Sequence, residues 1–140
     1  MTAFASNSVE QRVIEHDIVH ALAARYKLAL TSTPDALRRL KIDAYAPGPP
    51  PVLVEVFTQV GRSKPWQRRK IMHDMTKLLL AERRLGVPCR KLLAVIDPVA
   101  VLYLGQSWDG AFAREFDVEV VVVEGFVGRH AAMTAAHERQ

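Results

Sequence analysis

Two carboxylates, Asp43 and Glu55, stand on either side of the loop Pro47-Gly48-Pro49-Pro50-Pro51, within two alternating arms, Leu40 to Ala46 and Val52 to Phe57. Alternation interrupted by turn residues is the pattern of a β-hairpin. The prolines supply no backbone donors, so strand pairing stops at Ala46 and resumes at Val52. Pairing those two residues sets Asp43 opposite Glu55, Lys41 opposite Phe57 and Tyr45 opposite Leu53. The other face then collects Leu40, Ile42, Ala44, Val52, Val54 and Val56, all apolar, as a buried face with a period of two requires. Like charges directly opposed on neighbouring strands have Cβ atoms ~4.5 to 5.5 Å apart and are destabilising unless compensated. A hard divalent cation, Mg²⁺ or Mn²⁺, which takes carboxylate oxygens and keeps sites open for water and phosphate, is one compensation. A salt bridge to Lys41 or Lys70, or a register slipped by two, are others, but neither explains why both acids share a face.

Next along the chain, Trp66 sits among Arg62, Lys64, Arg68, Arg69 and Lys70. A basic patch with an aromatic at a helix N-terminus suits phosphate contacts and base stacking, which makes Lys64, Trp66, Arg68 and Arg69 the candidate nucleic-acid contacts. The plainer alternative is that Trp66 packs as a hydrophobic plug with its arginines solvated. His16-Asp17-Ile18-Val19-His20 imitates the H-E-x-x-H zinc helix. However, no third ligand follows on a nearby helix, Asp is shorter than the usual Glu base, and both histidines lie off the apolar stripe, so solvated histidines account for them. His73, His130 and His137 show no ligand spacing, and no Gly-rich phosphate loop, G-x-S-x-G elbow or Cys-His pair occurs.

Several elements must position these groups. Val9, Val13, Ile14, Ile18, Ala21 and Leu22 recur at helical spacing from Ser8 to about Lys27, behind an Asn7-x-x-Glu10 pattern resembling a capping box. Leu28 to Thr33 reads as a short strand before the Thr33-Pro34-Asp35 turn. After the hairpin, Pro65 opens a long helix to about Arg84, with Ile71, Met75, Leu78, Leu79 and Leu85 on one side. Lys91 to Ile96 is an apolar strand halted by Asp97-Pro98, Trp108 to Glu115 is helical in character, and Val118 to Val123 is a β-branched strand. The predicted order is αβββαβαβ, an α/β fold with a mixed central sheet flanked by helices. Residues 1–125 form one domain, and 126–140 an Ala-rich tail or weakly docked helix.

Lys41-Ile42-Asp43 followed by Val54-Glu55-Val56, behind an initial helix, resembles the motif of the PD-(D/E)xK nuclease superfamily, and over roughly Val9 to Ile96 the element order is similar to its restriction-endonuclease-like core. It also resembles uncharacterised bacterial members of that superfamily. The resemblance implies a metal-dependent phosphodiesterase in which Asp43 and Glu55 hold Mg²⁺. It further implies an additional first-helix acid, for which Glu10 is the candidate and Glu15 the alternative if the helix is rotated, and a glutamine beside the centre, matched by Gln67. The motif's lysine is replaced by Phe57, whose ring cannot orient or activate water. Some members supply that lysine from the following helix, where Lys70 stands, and Lys41 is the cross-strand candidate.

The chain of 140 residues has 49% apolar and 24% charged residues, the balance of one globular core. Its net charge of +4 is concentrated at Arg38 to Lys41, Arg62 to Lys70, Arg83-Arg84 and Arg90-Lys91. So small an excess fits a solvated basic face and leaves nucleic acid open as a partner. A single cysteine, Cys89, excludes an intrachain disulfide and a cysteine-rich zinc site. With no apolar run approaching ~18 to 20 residues and no signal-peptide pattern, a soluble cytoplasmic protein without membrane contact is expected. The alternatives to an active nuclease are a catalytically inactive nuclease-fold protein that binds nucleic acid or a protein partner, and a structural homodimer subunit meeting through Val118 to Val123.

Overall fold

The computed structural model describes residues 2–61 and 65–129, with side chains described over 9–61 and 67–129. Helix α1 (Thr2–Tyr26) is followed by a 3-10 turn at Asp35–Leu37, then β1 (Ala44–Ala46), β2 (Val52–Phe57), α2 (Pro65–Leu85) and β3 (Arg90–Val95). Two helices, α3 (Pro98–Gln106) and α4 (Trp108–Glu115), lead to β4 (Val118–Val122). The mixed sheet runs β1-β2-β3-β4, with β1 antiparallel to β2 and β2, β3 and β4 mutually parallel. No described helix is long and apolar enough to cross a membrane.

Every residue of β2 is buried, because the sheet is covered on both faces. Val52, Val54 and Val56 point to one side, where α1 lays down Ile14, Ile18, Val19 and Leu22. Leu53 and Phe57 point to the other, against Ile71, Met75 and Leu78 of α2 and Ala100, Leu104 and Ala113 of α3 and α4. Glu55 shares that second face through the two-residue period of the strand, so a carboxylate stands in the middle of an apolar layer. Its presence there is the main local conflict of the fold.

The hairpin register agrees with the sequence reading: Ala46 pairs with Val52, Tyr45 with Leu53 and Ala44 with Val54. The strand is shorter than expected, because the chain bends at Asp43. Ile42 and Leu40 consequently join the α2 side of the core instead of the α1 face, and Lys41 is exposed outside the strand, not held across from Phe57. The stretch Leu28 to Thr33 makes only one bridge, Thr31 to Tyr45, closed by Thr31 N–H donating to Tyr45 O at 2.9 Å. The expected αβββαβαβ order thus becomes αββαβααβ.

The extra helix is α3, which begins where Asp97-Pro98 halts the strand. Asp97 caps it by accepting from Val99 N–H, with Pro98 in the first turn. Helix α1 runs back through Asn7 to Thr2, so Asn7 lies within the helix and not at its start. Of the expected C-terminal segment 126–140, residues 130–140 lie outside the described residues.

Leu78 is fully buried between α2 and the sheet, whereas Leu102 on α3 is 66% exposed. Leu78→Ala is expected to lower stability by about 2–5 kcal/mol through lost transfer energy and a residual cavity. Leu102→Ala should change it by less than about 0.5 kcal/mol. Denaturant unfolding of both variants checks this, and similar losses for the two would contradict the packing described.

Candidate metal and catalytic site

Where the chain leaves β1, the hydrogen-bond ladder is completed by a side chain. Asp43 N–H donates to Val54 O (3.1 Å), and Val56 N–H, whose partner at this register would be Ile42, donates to Asp43 Oδ2 at 2.7 Å. The carboxylate is therefore anchored at the sheet edge beside Glu55 while remaining solvent-exposed. Glu55, only 1% exposed, forms the floor beneath it.

Helix α2 meets this floor with a polar stripe. Gln67, Lys70, Asp74 and Lys77 follow the 3–4 spacing of one helix side, flanking the apolar stripe of Ile71, Met75 and Leu78. Lys77 Nζ lies 2.6 Å from Glu55 Oε1. Apart from this ion pair, Glu55 Oε1 is buried with no hydrogen-bond partner. Lys70 Nζ is 2.9 Å from Asp74 Oδ2, itself 2% exposed. Burial works against the Lys70 ammonium, but Asp74, then Asp43 and Glu55, outweigh it and hold its pKa above the ordinary lysine value.

The Glu55 carboxyl is pushed from its ordinary 4.5 up to about 9, first by burial and then by Asp43, with Lys77 opposing only in part. From the α1 side, Glu15 is half-buried and its pKa is raised, again by burial first and Asp43 second. Glu15, Arg12, His16, Val19 and Asp43 line a cleft of about 220 Å³ that opens beside the acid pair.

A second charged pair between α2 and the sheet behaves differently. Lys91, buried on β3, reaches Glu82 Oε2 at 2.8 Å, and that carboxylate also accepts from Cys89 N–H at 2.8 Å. Burial opposes ionisation of Glu82, yet these donors overcome it and leave its pKa below the ordinary value. Glu82 and Lys91 thus form a closed structural pair, whereas Glu55 retains an unsatisfied oxygen and a destabilised charge. Groups held in that state concentrate at functional sites.

The structure gathers Asp43, Glu55 and Lys70 and leaves other expected residues elsewhere. Glu10 and Lys41 are exposed. On α1 it is Glu15 whose titration responds to Asp43, the alternative already open in the sequence. Gln67 is buried, with its amide donating to Gln59 Oε1 at 2.9 Å. Arg68 lies over the Tyr103 ring and Arg69 is exposed. Lys64 and the Trp66 side chain lie outside the described residues. His16 and His20 are exposed, with their Nε2 atoms 3.0 Å apart.

Lys77 was not anticipated, nor was the burial of Asp74, the helix partner of Lys70. Their signal was the spacing 67, 70, 74, 77 of polar residues beside an apolar stripe, which marks a helix side that must face something polar.

Among the described residues no three His, Cys, Asp or Glu side chains gather into one metal-binding group. The candidate donors are Asp43 and Glu55, which stand beside each other. This pair suits an ion such as Mg²⁺, which binds through one or two carboxylates and fills its shell with water and phosphate oxygens. The orphaned Glu55 oxygen and the mutual repulsion of the pair are features that a bound cation relieves. Compared with known proteins, the chain matches no family model, no curated protein and no solved structure.

The raised Glu55 pKa fixes the sign of a pH dependence in metal-free protein. The folded state holds the proton more tightly than the unfolded chain, so this contribution is complete below pH 4.5 and is lost as pH rises toward about 9. Stability should decline across that window, by at most about 1.4 kcal/mol per pH unit from this group. Glu55→Gln, which keeps the shape but cannot ionise, should flatten the decline. Urea unfolding of both proteins across that window measures it, and an equally steep decline in the variant would contradict the assignment.

Proposed function

We propose that this protein is a metal-dependent phosphodiesterase acting on nucleic acid, built on a restriction-endonuclease-like arrangement of its α/β core. The observation that carries the reading is the Glu55 carboxylate, buried beside Asp43, with one oxygen unsatisfied and the Lys77 ammonium against it. The order of helix, hairpin, long helix and parallel strand supports it, with the first strand of the family's meander reduced here to the Thr31 bridge.

Asp43 and Glu55 would hold a divalent cation, which when bound polarises a phosphate and activates water. The chain's own contribution is positional and electrostatic. Val56 N–H fixes the Asp43 carboxylate at the sheet edge. Asp74 orients Lys70 and keeps it charged. Lys70 and Lys77 place two ammonium groups on the α2 side of the acid pair, where negative charge builds on a phosphate under attack. Lys77 takes the place of the motif lysine lost at Phe57, which is buried in the apolar layer below. Arg12, on the rim of the Asp43 cleft, and Arg69 add positive charge for the phosphate backbone.

Purified protein is expected to cleave DNA or RNA in Mg²⁺ or Mn²⁺ and to stop on chelation. Lys77→Ala and Lys70→Ala should each lower kcat by ~10² to 10³, the effect of removing one charge-stabilising contact. Circular dichroism should confirm that folding is retained. Lys77→Arg should recover part of the loss where Lys77→Ala does not. Cleavage indifferent to both lysines would sink the assignment of their roles. Salt-dependent binding without any cleavage would instead assign the inactive, nucleic-acid-binding alternative.

A further inference from the structure

On the flank of α2 away from Lys70 and Lys77 lies a cleft of about 630 Å³ lined by Arg68, Arg69, Met72, Tyr103 and Trp108. Its walls are built rigidly. Ser107 ends α3 and caps α4, its hydroxyl accepting from Gly110 N–H. A Cβ at Gly110 would fall 1.5 Å from Leu104 O, so α3 and α4 meet there backbone to backbone. The buried Asp109 accepts from the Tyr103 hydroxyl and fixes that ring, over which the Arg68 guanidinium lies 5.2 Å from the centroid. Trp108, the first residue of α4, projects from this corner with 70% of its surface exposed.

Tryptophan is ordinarily well buried, and an exposed indole on a fixed corner is ready to cover something flat. The carboxylate in the cleft, Asp109, is already engaged by Tyr103, so the charge facing a ligand is that of the exposed Arg69.

We propose that this cleft is a stacking site for an unpaired base of single-stranded nucleic acid, with the base on Trp108 beside the Tyr103–Arg68 stack and Arg69 on the adjoining phosphate. The choice of ligand rests on the nucleic-acid reading above but not on catalysis. A duplex offers no free base faces along its length, whereas a single strand offers them together with phosphates at each step, matching alternating aromatic and guanidinium groups. Helical spacing places Arg69 on the outer crest of α2, between the Arg68 flank and the Lys70 flank. A strand stacked on Trp108 therefore crosses that crest, over a helix ~10–12 Å wide, to reach the acid pair. The substrate so defined is a single strand, or a single-stranded stretch beside a duplex.

The chain has two tryptophans, so Trp66→Phe leaves Trp108 as the sole indole reporter. Titration of that variant with a single-stranded oligonucleotide is expected to quench its fluorescence, and the same sequence as a duplex should not. In the otherwise native protein, Trp108→Ala should weaken binding of a labelled single strand by about tenfold or more, with Trp108→Phe retaining most of the affinity. Asp43→Asn, expected to stop cleavage, should keep the quench, whereas quenching without cleavage by the protein that retains Asp43 would remove the catalytic reading and leave the stacking site standing. Cleavage without quenching, unchanged affinity in Trp108→Ala, or equal response to duplex would overturn the stacking site alone. So would indole burial that follows protein concentration without nucleic acid, which would make Trp108 a contact between copies of the chain.

Discussion

A carboxylate on a strand buried along its whole length has to be compensated, and the compensation of Glu55 organises much of this structure. Transfer of an isolated ionised carboxylate out of water is costly enough that such groups are paired or neutralised. Two devices meet at Glu55: Lys77 is brought against it from α2, and its pKa rises toward about 9. Asp43, placed beside it just ahead of β1, works against Lys77 and adds to the pKa rise, since a second acid raises the cost of ionising Glu55. A fold built only for stability gains nothing from that arrangement, and an apolar residue at position 55 would continue the layer formed by Leu53 and Phe57.

Helix α2 carries the consequences. Its apolar stripe seals the sheet, one polar flank serves Glu55 and Asp43, and the opposite flank forms the Arg68 and Tyr103 wall. The Lys91–Glu82 pair near its C-terminal end fixes the helix against β3 by a bridge whose members are mutually satisfied. One end of the interface is thereby locked while the disfavoured Glu55 carboxyl is held nearer its middle.

The sequence revealed the hairpin and its register because two constraints coincide there: prolines that interrupt pairing and a period-two pattern on both arms. It did not reveal that β1 would begin only at Ala44, because a side-chain oxygen of Asp43 replaces a backbone carbonyl, and that substitution leaves no mark on periodicity. Ile42 fits an apolar pattern on either face, so its move to the α2 core was equally silent. The α3 helix was legible in Asp97-Pro98 as a cap followed by proline, a signal that also ends a strand and was read only in that sense. On α1 the resemblance pointed to Glu10, with Glu15 as the alternative if the helix is rotated, and the structure leaves Glu10 exposed and sets Glu15 within reach of the Asp43 charge. The reach of Lys77 depends on how far α2 extends along β2, a tertiary distance that no local spacing encodes.

The central claim is that Asp43 and Glu55 form a cation-binding centre. Its most direct test is the melting temperature of the wild-type protein in saturating Mn²⁺ and in chelator, alongside Asp43→Asn. An ion bound only by the native pair adds about 2.7 kcal/mol of stability at a hundredfold excess over Kd. The account predicts a clear upward shift for the wild type and little or none for Asp43→Asn. The same melting temperature for the wild type with and without metal would contradict it.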